Sequence, residues 1–389
     1  MAPLKQRFSA AALLAPLLIF IAIFFLWPLI TMMSQAVSDP AVSNILPRTA
    51  EVANDWDGDG PPTPAMKAAF IEDLRNADNQ QAVGDMVRRL NSAQSGFRTL
   101  MGKTTRAISL EENPDLSAID PRWDEPQYWR AITDALSPTT DRYLLAAVDM
   151  ERNAAGEIVS LPADQSANLT ILARTFWIAA LVTFFCLTIG YPYAMIAASV
   201  DGWKRNLMLG AVLLPLWTSL LVRTAAWFIL LQDNGLVNRA LVDLSITAEP
   251  MRLIFNRTGV IIAMTHVLLP FMVLPIYSVL ITVPKNLMPA AASLGAHPLR
   301  AFWKVLMPLS LRGVASGALL VFMSAIGYYI TPALIGGAGD QMISSVIAFY
   351  ATGSANWGMA GALGIVLLTI TILLYAVYGR LSTSPEVRS

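Results

Sequence analysis

The sequence predicts an all-α membrane protein with six transmembrane helices and a largely helical, water-exposed insert between the first and second helices. Three observations predict this fold. The 389 residues are 55% hydrophobic and only 14% charged, and their mean hydropathy is +0.53. Apolar runs recur that match the roughly 20 helical residues needed to cross a hydrocarbon core. Acidic residues are concentrated in one long segment after the first run.

The first apolar run extends from Ala10 to Met33 and follows Lys5 and Arg7. It is longer than the apolar core of a secretory signal peptide, and no small-residue cleavage pattern follows it directly. We therefore expect residues 1–36 to form a cytoplasmic N-terminus and a retained first span. Trp27 would lie near the outer membrane interface, where aromatic side chains are enriched.

Residues 37–168 differ from the rest of the chain. They contain 21 acidic and 12 basic residues, a net charge of −9, together with proline and glycine clusters. Helical periodicity occurs in four stretches: Met66–Ala77, Gln80–Leu90, Tyr128–Leu136 and Asp141–Met150. This pattern predicts a small helical domain outside the membrane, joined by flexible connections.

One stretch of the insert is similar to half of a calcium-binding loop. Asp55, Asp57 and Asp59 alternate and are followed by Gly60, but Met66 occupies the twelfth position, where a bidentate glutamate closes such a loop. An acidic turn is therefore favoured over a calcium site, and we expect no metal.

A second stretch, Gly102-Lys103-Thr104, is similar to the end of a phosphate-binding loop. The preceding glycine is Gly96, which leaves five intervening residues where the motif has four, and no apolar strand precedes it. We therefore expect this chain to bind no nucleotide.

Five further spans are predicted after the insert. They extend over Thr170–Val200, Asn206–Gln232, Gly259–Val283, Gly313–Ile335 and Gly358–Tyr378. Residues 169–381 would thus form a five-helix membrane core, followed by a cytoplasmic tail at 382–389. The lone cysteine, Cys186, lies inside an apolar run, so no disulfide framework is possible within the chain.

The basic residues of the short connections predict the orientation. With a cytoplasmic N-terminus, the inner side holds Lys5, Arg7, Lys204, Arg205, Lys285, Arg300, Lys304, Arg312, Arg380 and Arg388. The short outer connections hold Arg239, Arg252 and Arg257, offset by Asp233, Asp243, Glu249 and Asp340. The positive-inside rule therefore places both termini in the cytoplasm and residues 37–168 outside.

Residues 284–312, the docking segment, are a basic interruption between two apolar runs and contain no acid. Residues 287–294 favour a helix, and Gly295 fits its C-terminal end. His297-Pro298 predicts the start of a second short helix, which Pro308 would end.

The docking segment carries a recognisable series: Ala290-Ala291, then Gly295, Phe302, Val305, Pro308 and Gly317. This series resembles the EAA loop of ABC-importer permeases, although Pro289 stands where that family usually has glutamate. The resemblance implies that the segment docks on an ATPase subunit. The implied docking residues are Ala290, Ala291, Leu294, Gly295, Ala296, His297, Arg300, Phe302, Lys304 and Pro308.

Further motifs extend the resemblance from about residue 169 to 381, and to the first span. They are Pro215-Leu216-Trp217-Thr218-Ser219, Arg223-Thr224, Asp233-Asn234-Gly235-Leu236-Val237-Asn238, and Gly327-Tyr328-Tyr329-Ile330-Thr331-Pro332 before Gly336-Gly337. These residues are similar to permease subunits of spermidine/putrescine importers. Many members of that family have an acid at the position of Tyr328. The insert is not covered by the resemblance.

The resemblance implies a type I ABC-importer permease of the bacterial inner membrane, which has no catalytic residues. Expected partners are a second, related but different permease subunit, an ATPase dimer that binds ATP and magnesium, a periplasmic solute-binding protein and membrane lipids. This chain would bind no cofactor, metal or nucleic acid. The expected solute is a polyamine such as putrescine or spermidine. The alternatives are an amino-acid derivative, an opine or another organic cation.

Candidate residues for the solute path are the polar and aromatic residues of the inner spans: Trp217, Thr218, Arg223, Tyr328, Tyr329 and Thr331. Trp217 and Tyr328 can hold an ammonium group through cation–π contacts or can simply pack between helices. Arg223 is either an interior functional residue or a side chain that extends to the outer interface.

Two other functional classes remain as alternatives. An ion-coupled secondary transporter would need carboxylates in its spans, and none of the predicted spans contains Asp or Glu. His266 is accordingly interpreted as a packed residue hydrogen-bonded to a neighbouring helix. A membrane-anchored scaffold would explain the acidic insert but not five further spans.

Overall fold

The computed structural model describes residues 4–58, 60–111, 114–153, 156–162, 164–354 and 356–382. Asp59 of the acidic turn and residues 383–389 of the predicted tail, with Arg388, lie outside the described residues. The chain forms two compact units. One comprises Met1–Leu145 with Trp357–Ala362, and the other comprises Ala146–Asn356 with Leu363–Ser389.

The first span begins the first unit. Helix α1 (Leu4–Ile21) continues through a π-helical turn (Ala22–Leu26) into α2 (Trp27–Ser34). The backbone N–H of Trp27 donates to the carbonyl of Ala22, five residues back. This wider turn accommodates Pro28, which has no N–H and would collide with a carbonyl in a regular α-helix. The helix of the first span therefore continues through Pro28 without a break.

The insert is built from short helices whose starts are marked by proline or a capping side chain. They are α3 (Pro40–Ser43), α4 (Pro47–Val52), α5 (Pro64–Arg75), α6 (Gln80–Ala93), α7 (Phe97–Leu110), α8 (Leu116–Ile119), α9 (Pro126–Ala135) and α10 (Arg142–Ala147), with 3-10 turns at Ala53–Asp55 and Pro121–Asp124.

Aromatic side chains form the centre of the insert. Trp123 and Trp129 are fully buried, and both pack against Phe70, at 4.9 and 5.4 Å between ring centroids. Each buried indole N–H has an acceptor. Trp123 Nε1 donates to Thr104 Oγ1 at 2.9 Å, and Trp129 Nε1 donates to the carbonyl of Trp123 at 2.8 Å. The insert thus has its own aromatic core, in which both buried indole N–H groups are hydrogen-bonded.

Helix α7 was not among the predicted helices. It buries Phe97, Leu100, Met101 and Thr104, a spacing typical of one helix face. Gly102-Lys103-Thr104 therefore lies inside a helix rather than in a loop, so its backbone amides bond within the helix instead of forming a cradle for phosphate.

The second unit begins with an antiparallel hairpin of β1 (Met150–Arg152) and β2 (Ile158–Ser160). The helices that follow are α11 (Asn168–Ser199), α12 (Trp203–Leu213), α13 (Leu220–Leu230), α14 (Leu236–Asp243), α15 (Arg257–Leu280), α16 (Leu287–Ser293), α17 (Pro298–Ala301), α18 (Met307–Gly327), α19 (Ile330–Ile335), α20 (Ile343–Ala348) and α21 (Trp357–Ser382). Shorter turns lie between them: 3-10 turns at Leu214–Trp217 and Ala338–Asp340, and π turns at Phe302–Leu306 and Phe349–Gly353.

The predicted helix Asp141–Met150 is wrong at its C-terminal end. Helix α10 ends at Ala147, and Asp149 adopts a left-handed backbone with φ of 58°. This conformation turns its carboxylate onto the start of α11, where Oδ1 accepts from the amide of Asn168 at 3.0 Å and Oδ2 from that of Leu169 at 2.9 Å. Capping two otherwise unpaired amides of α11 offsets the strained backbone.

The core of the second unit is formed by α11, α15 and α18. Close approach of α18 to α15 depends on two glycines four residues apart. A Cβ atom at Gly313 would lie 2.8 Å from the carbonyl oxygen of Pro275, and one at Gly317 would lie 3.0 Å from that of Met272. Small residues at this spacing let membrane helices pack backbone to backbone.

The described residues contain five helices long and apolar enough to span a membrane, or six if one bent pair is counted as a single span. The bent pair corrects the predicted third span, Asn206–Gln232, which is not one helix. Trp203–Trp217 and Leu220–Leu230 meet at 100°. Pro215 introduces the 3-10 turn Leu214–Trp217, and Ser219 then caps a new helix by accepting from the amide of Val222.

The predicted fifth span, Gly313–Ile335, is also interrupted. Helix α18 ends at Gly327, Tyr328 is extended (φ −71°, ψ 127°), and α19 starts at Ile330. A continuous helix would place the ring of Pro332 against the carbonyl of Tyr328, whereas the first turn of a new helix accepts proline. The chain therefore breaks at Tyr328 and Tyr329.

Candidate functional site

The docking segment folds into two helices separated by a left-handed glycine. Helix α16 ends where Gly295 has φ of +80°. The amide of Gly295 donates to the carbonyl of Ala292 at 2.9 Å, and that of Ala296 donates to Ala291 at 3.0 Å. This pair of bonds is the Schellman arrangement, which closes a helix C-terminus. The expected helix end at Gly295 is therefore confirmed.

Pro289 is compatible with the first helix of the segment. It is the third residue of α16, within the first turn, where backbone N–H groups have no partner inside the helix. The change from the glutamate of the resembled family thus removes a charge without preventing the helix from forming.

Pro308 does not end the second helix as predicted. Residues Pro298–Gly327 form one continuous helix that contains the π turn Phe302–Leu306. The amide of Met307 donates to the carbonyl of Phe302, five residues back. This is the same arrangement that precedes Pro28 in the first span. The wider turn removes the collision that makes proline a helix breaker.

The docking segment is anchored to the core of the second unit through one aromatic contact. The ring of Phe302 meets that of Tyr191 on α11 edge to face, at 5.5 Å between centroids. The Tyr191 hydroxyl is in turn 2.8 Å from the buried Ser310 Oγ on α18. Ala301 beside Phe302 is also buried. Phe302 therefore joins the segment to α11, and the Tyr191–Ser310 contact holds α11 against α18.

The opposite side of the docking segment is exposed and apolar. Leu294 is 88% exposed, Leu299 65% and Trp303 62%. Arg300 and Lys304 lie beside them and form no ion pair within the residues that the structure describes. Apolar side chains flanked by cations on a segment between spans are typical of a protein-docking surface.

The predicted path residues are not all brought together. Trp217 is 89% exposed, Tyr329 is 47% exposed, and the Thr218 hydroxyl donates to the carbonyl of Pro215 within its own turn. Thr331 is fully buried, and its Oγ1 is 3.2 Å from that of Thr224. The structure thus separates the exposed residues from those at the contact of α13 with α19.

A polar cluster, defined as Arg223, Trp227, His266 and Tyr328, lies where α13, α15 and the break after α18 meet. Trp227 Nε1 donates to His266 Nδ1 at 3.0 Å, with ring centroids 5.3 Å apart. Arg223 lies one helical turn before Trp227 on α13, and its neighbour Thr224 contacts Thr331, three residues after Tyr328. The predicted hydrogen bond of His266 to a neighbouring helix is confirmed, but its side chain is exposed on this chain rather than buried.

The guanidinium of Arg223 is partly enclosed by the protein. Its Nε and Nη1 atoms are buried, and neither has a hydrogen-bond acceptor among the described residues. Two of the three side-chain nitrogens of Arg223 are therefore shielded from water by this chain. Buried, unpaired donors of this kind are rare and call for an explanation.

Sequence reasoning missed Trp227 and Thr224 as members of this region. Both lie on α13, at Arg223 plus four and plus one, so a helix drawn from Ser219 would have placed Trp227 on the face of Arg223. The predicted span Asn206–Gln232 would have placed them on one face as well, so what sequence reasoning lacked was the hydrogen bond of Trp227 to His266 on α15.

The comparisons with known proteins match this arrangement of spans and loop. The family model of the binding-protein-dependent transport system inner membrane component matches residues 190–385, about half of the chain. The chain belongs to this family. It is therefore a multi-pass membrane protein and a permease subunit of an ABC importer, not an enzyme. The insert lies outside the matched residues.

Named relatives of this permease include polyamine transport proteins. It is 35% identical over 214 residues to the spermidine/putrescine transport system permease protein PotB of Haemophilus influenzae, covering 54% of this chain and 75% of that one. PotB of Escherichia coli is 34% identical over 212 residues, covering 54% and 77%. The resemblance to permeases of this kind is confirmed.

Among solved structures, this permease is similar to a chain of a bacterial alginate ABC transporter in complex with an alginate pentasaccharide-bound periplasmic protein. The match is 16% identical with a TM-score of 0.47, and it covers 56% of this chain and 78% of that chain.

Proposed function

We propose that this permease forms one half of a path for a small organic amine through the bacterial inner membrane. A periplasmic binding protein delivers the solute, and a separate ATPase dimer binds ATP and magnesium and supplies the energy. The observation that carries this proposal is the docking segment: a rigid helix–glycine–helix unit with exposed Leu294 and Trp303, fixed to the core through Phe302.

The physical mechanism follows from this anchoring. When two ATPase subunits close on ATP, they displace the two docking segments that sit on them. Phe302 transmits the displacement to Tyr191 on α11, and the continuous helix Pro298–Gly327 carries it directly into α18. Packed helices respond by moving as units between discrete arrangements rather than by stretching, so the displacement rocks one permease subunit against its partner.

The orientation is part of the proposal. ATP is cytoplasmic, so a segment that contacts the ATPase must be cytoplasmic, as the positive-inside rule also indicates. Both termini then lie in the cytoplasm and residues 37–168 in the periplasm, where the insert is accessible to the binding protein. The second permease subunit is a related but different chain, and membrane lipids surround both.

Polyamines are the first candidate class of solute. The support is the similarity to spermidine/putrescine permeases of the PotB kind, since the match covers about three quarters of their length. Amino-acid derivatives, opines and other organic cations are the alternatives, because the same permease scaffold serves them with different polar residues along the path.

The docking proposal is tested with two matched tryptophan variants. Trp303 in the docking segment and Trp203 at the start of α12 are 62% and 71% exposed. The ion pair of Lys285 with Asp201, at 3.3 Å, places Trp203 near the same end of the second unit as the docking segment. Trp303→Ala removes an aromatic anchor from the proposed contact, whereas Trp203→Ala removes a similar area beside it.

The expected result is that Trp303→Ala weakens co-purification of the ATPase from detergent-solubilised membranes, by roughly thirtyfold or more in dissociation constant, as for an interface hot spot. Trp203→Ala should retain wild-type affinity. Equal losses in the two variants, or none in either, would contradict the assignment of residues 284–312 to ATPase docking.

A further inference from the structure

We propose that the solute carries a carboxylate as well as an amine, and that the carboxylate binds Arg223 within the membrane path. This inference rests on the proposed function and narrows its substrate class from organic amines to amino-acid-like amines. It is carried by the polar cluster and by the charges of the spans.

Arg223 lacks an anion that its position requires. A guanidinium is always charged and offers five N–H donors. Two of its nitrogen atoms are buried without an acceptor in the part of the chain that the structure describes. Ionisable groups inside a membrane protein are costly and are retained where they pair or act on a solute. An anionic group from outside this chain is needed to complete the site.

The other members of the polar cluster are also hydrogen-bond donors. His266 Nδ1 accepts from Trp227, so the proton of a neutral imidazole is on Nε2, which is left as a donor. Tyr328, at the break after α18, carries a further hydroxyl donor. No candidate span contains Asp or Glu, so this chain offers no carboxylate within the membrane to an ammonium group. The cluster suits an acceptor group.

The position of the cluster places it on the path rather than against lipid. His266 is near the middle of the 24-residue helix α15 and is exposed on this chain. A polar side chain exposed at that depth faces protein or a water-filled cavity, because lipid cannot satisfy it. The helices are interrupted on either side of the cluster, at Thr218–Ser219 and at Tyr328–Tyr329. Non-helical backbone at membrane depth must likewise face protein or a water-filled cavity.

The local helix dipole adds to the positive charge. Arg223 lies in the first turns of α13, whose N-cap is Ser219. The free amides at a helix start carry partial positive charge, and interrupted membrane helices in transporters direct such ends at anionic solute groups. Arg223 and the α13 N-terminus therefore favour a carboxylate and repel a solute that carries only ammonium groups.

The test uses pairs of solutes that differ by one carboxylate: ornithine with putrescine, and arginine with agmatine. The full complex of this permease, its partner subunit, the ATPase and the binding protein is reconstituted in lipid nanodiscs. Solute-stimulated ATP hydrolysis is measured for the wild type, Arg223→Gln, Arg223→Lys and the control Arg239→Gln. Arg239 is an exposed arginine on α14. The binding protein is the same throughout, so a change in solute preference between variants originates in the permease.

The expected result is that ornithine or arginine stimulates the wild type more than its decarboxylated partner does. Arg223→Gln should lower this stimulation roughly tenfold or more, as for loss of a charge-assisted hydrogen bond. It should raise the stimulation by putrescine, because the guanidinium no longer repels the ammonium groups. Arg223→Lys should lose less of the stimulation by ornithine or arginine, because lysine keeps the positive charge. Arg239→Gln should be stimulated as strongly as the wild type. Each variant must co-purify with the ATPase like the wild type.

Three results would overturn the inference. Stimulation by putrescine and spermidine alone, unaffected by Arg223→Gln, would separate Arg223 from the solute. Solute-independent ATP hydrolysis that rises in Arg223→Gln, with unchanged solute preference, would show that an acid of the second subunit completes the site. If no solute stimulates ATP hydrolysis and the ATPase also fails to co-purify, the proposed function itself is refuted, and the inference depends on that function.

Discussion

Gly295 controls the shape of the docking segment, and its replacement by alanine has a cost that can be derived from the structure. The residue has φ of +80°, and a Cβ atom built on it meets no other atom within 4 Å. A collision therefore contributes nothing. The remaining cost is that of placing an L-residue in the left-handed region, which is about 1–2 kcal/mol.

This cost reduces the population of the conformation that presents α16 and α17 together. A free-energy change of about 1–2 kcal/mol corresponds to roughly a 5- to 30-fold change in population. The apparent affinity for the ATPase should fall by up to the same factor, because only the correctly shaped segment docks and affinity scales with the fraction of molecules in that shape. The assay titrates purified ATPase onto nanodisc-embedded permease and measures the dissociation constant for wild type and Gly295→Ala.

Two further variants make the test specific. Gly295→Asn should lose less affinity, because asparagine tolerates the left-handed region better than alanine. Gly84→Ala on helix α6 of the insert also meets no atom within 4 Å but lacks a positive φ, so it should leave docking unchanged. Wild-type affinity in Gly295→Ala would refute the reasoning, since the docked segment would then not require the left-handed turn.

Two predictions concern the insert, and thermal or acid unfolding of the full chain in detergent, followed by tryptophan fluorescence, checks both. Asp73→Asn should destabilise the insert by about 1.5–3 kcal/mol, because a buried carboxylate that accepts from the Thr49 amide at 2.8 Å and hydroxyl at 2.7 Å is replaced by a weaker acceptor. The hydrogen bond from Arg122 holds the pKa of the buried Asp120 carboxyl well below its ordinary value of 3.8. Its stabilising contribution is therefore complete above about pH 4 and is lost as the pH falls towards the folded-state pKa. Asp120→Asn should lower the stability above about pH 4 and flatten the acid-dependent part of the unfolding curve, because the carboxylate that pairs with Arg122 is absent at every pH.

Composition and spacing were sufficient to predict the spans, because a run of apolar residues in a membrane has few alternatives to a helix. The end of α16 was predictable for a similarly local reason, since Gly295 permits the left-handed turn that closes a helix. The interruptions were not predictable in the same way. Pro28 and Pro308 lie in continuous helices, whereas Pro215 and Pro332 accompany breaks, so proline alone does not distinguish the two outcomes.

The polar cluster shows a similar limit. Arg223 and Tyr328 were candidates from the sequence because polar residues in a span are unusual. Trp227 was not, since its importance lies in the hydrogen bond to His266 across two helices. That bond depends on where α13 begins, and the sequence pattern of an uninterrupted apolar run contains no signal for a bend of 100°.

The continuity of the helix through Pro308 has a mechanical consequence for transport. Residues Pro298–Gly327 form one 30-residue helix, about 45 Å long at 1.5 Å per residue. Its first half, residues 298–312, belongs to the docking segment, and its last residue precedes Tyr328 of the polar cluster. A break at Pro308 would have placed a hinge between these ends and absorbed the displacement there. Because the π turn keeps the helix continuous, a displacement of the segment reaches the break at Tyr328, where α18 ends and the chain changes direction.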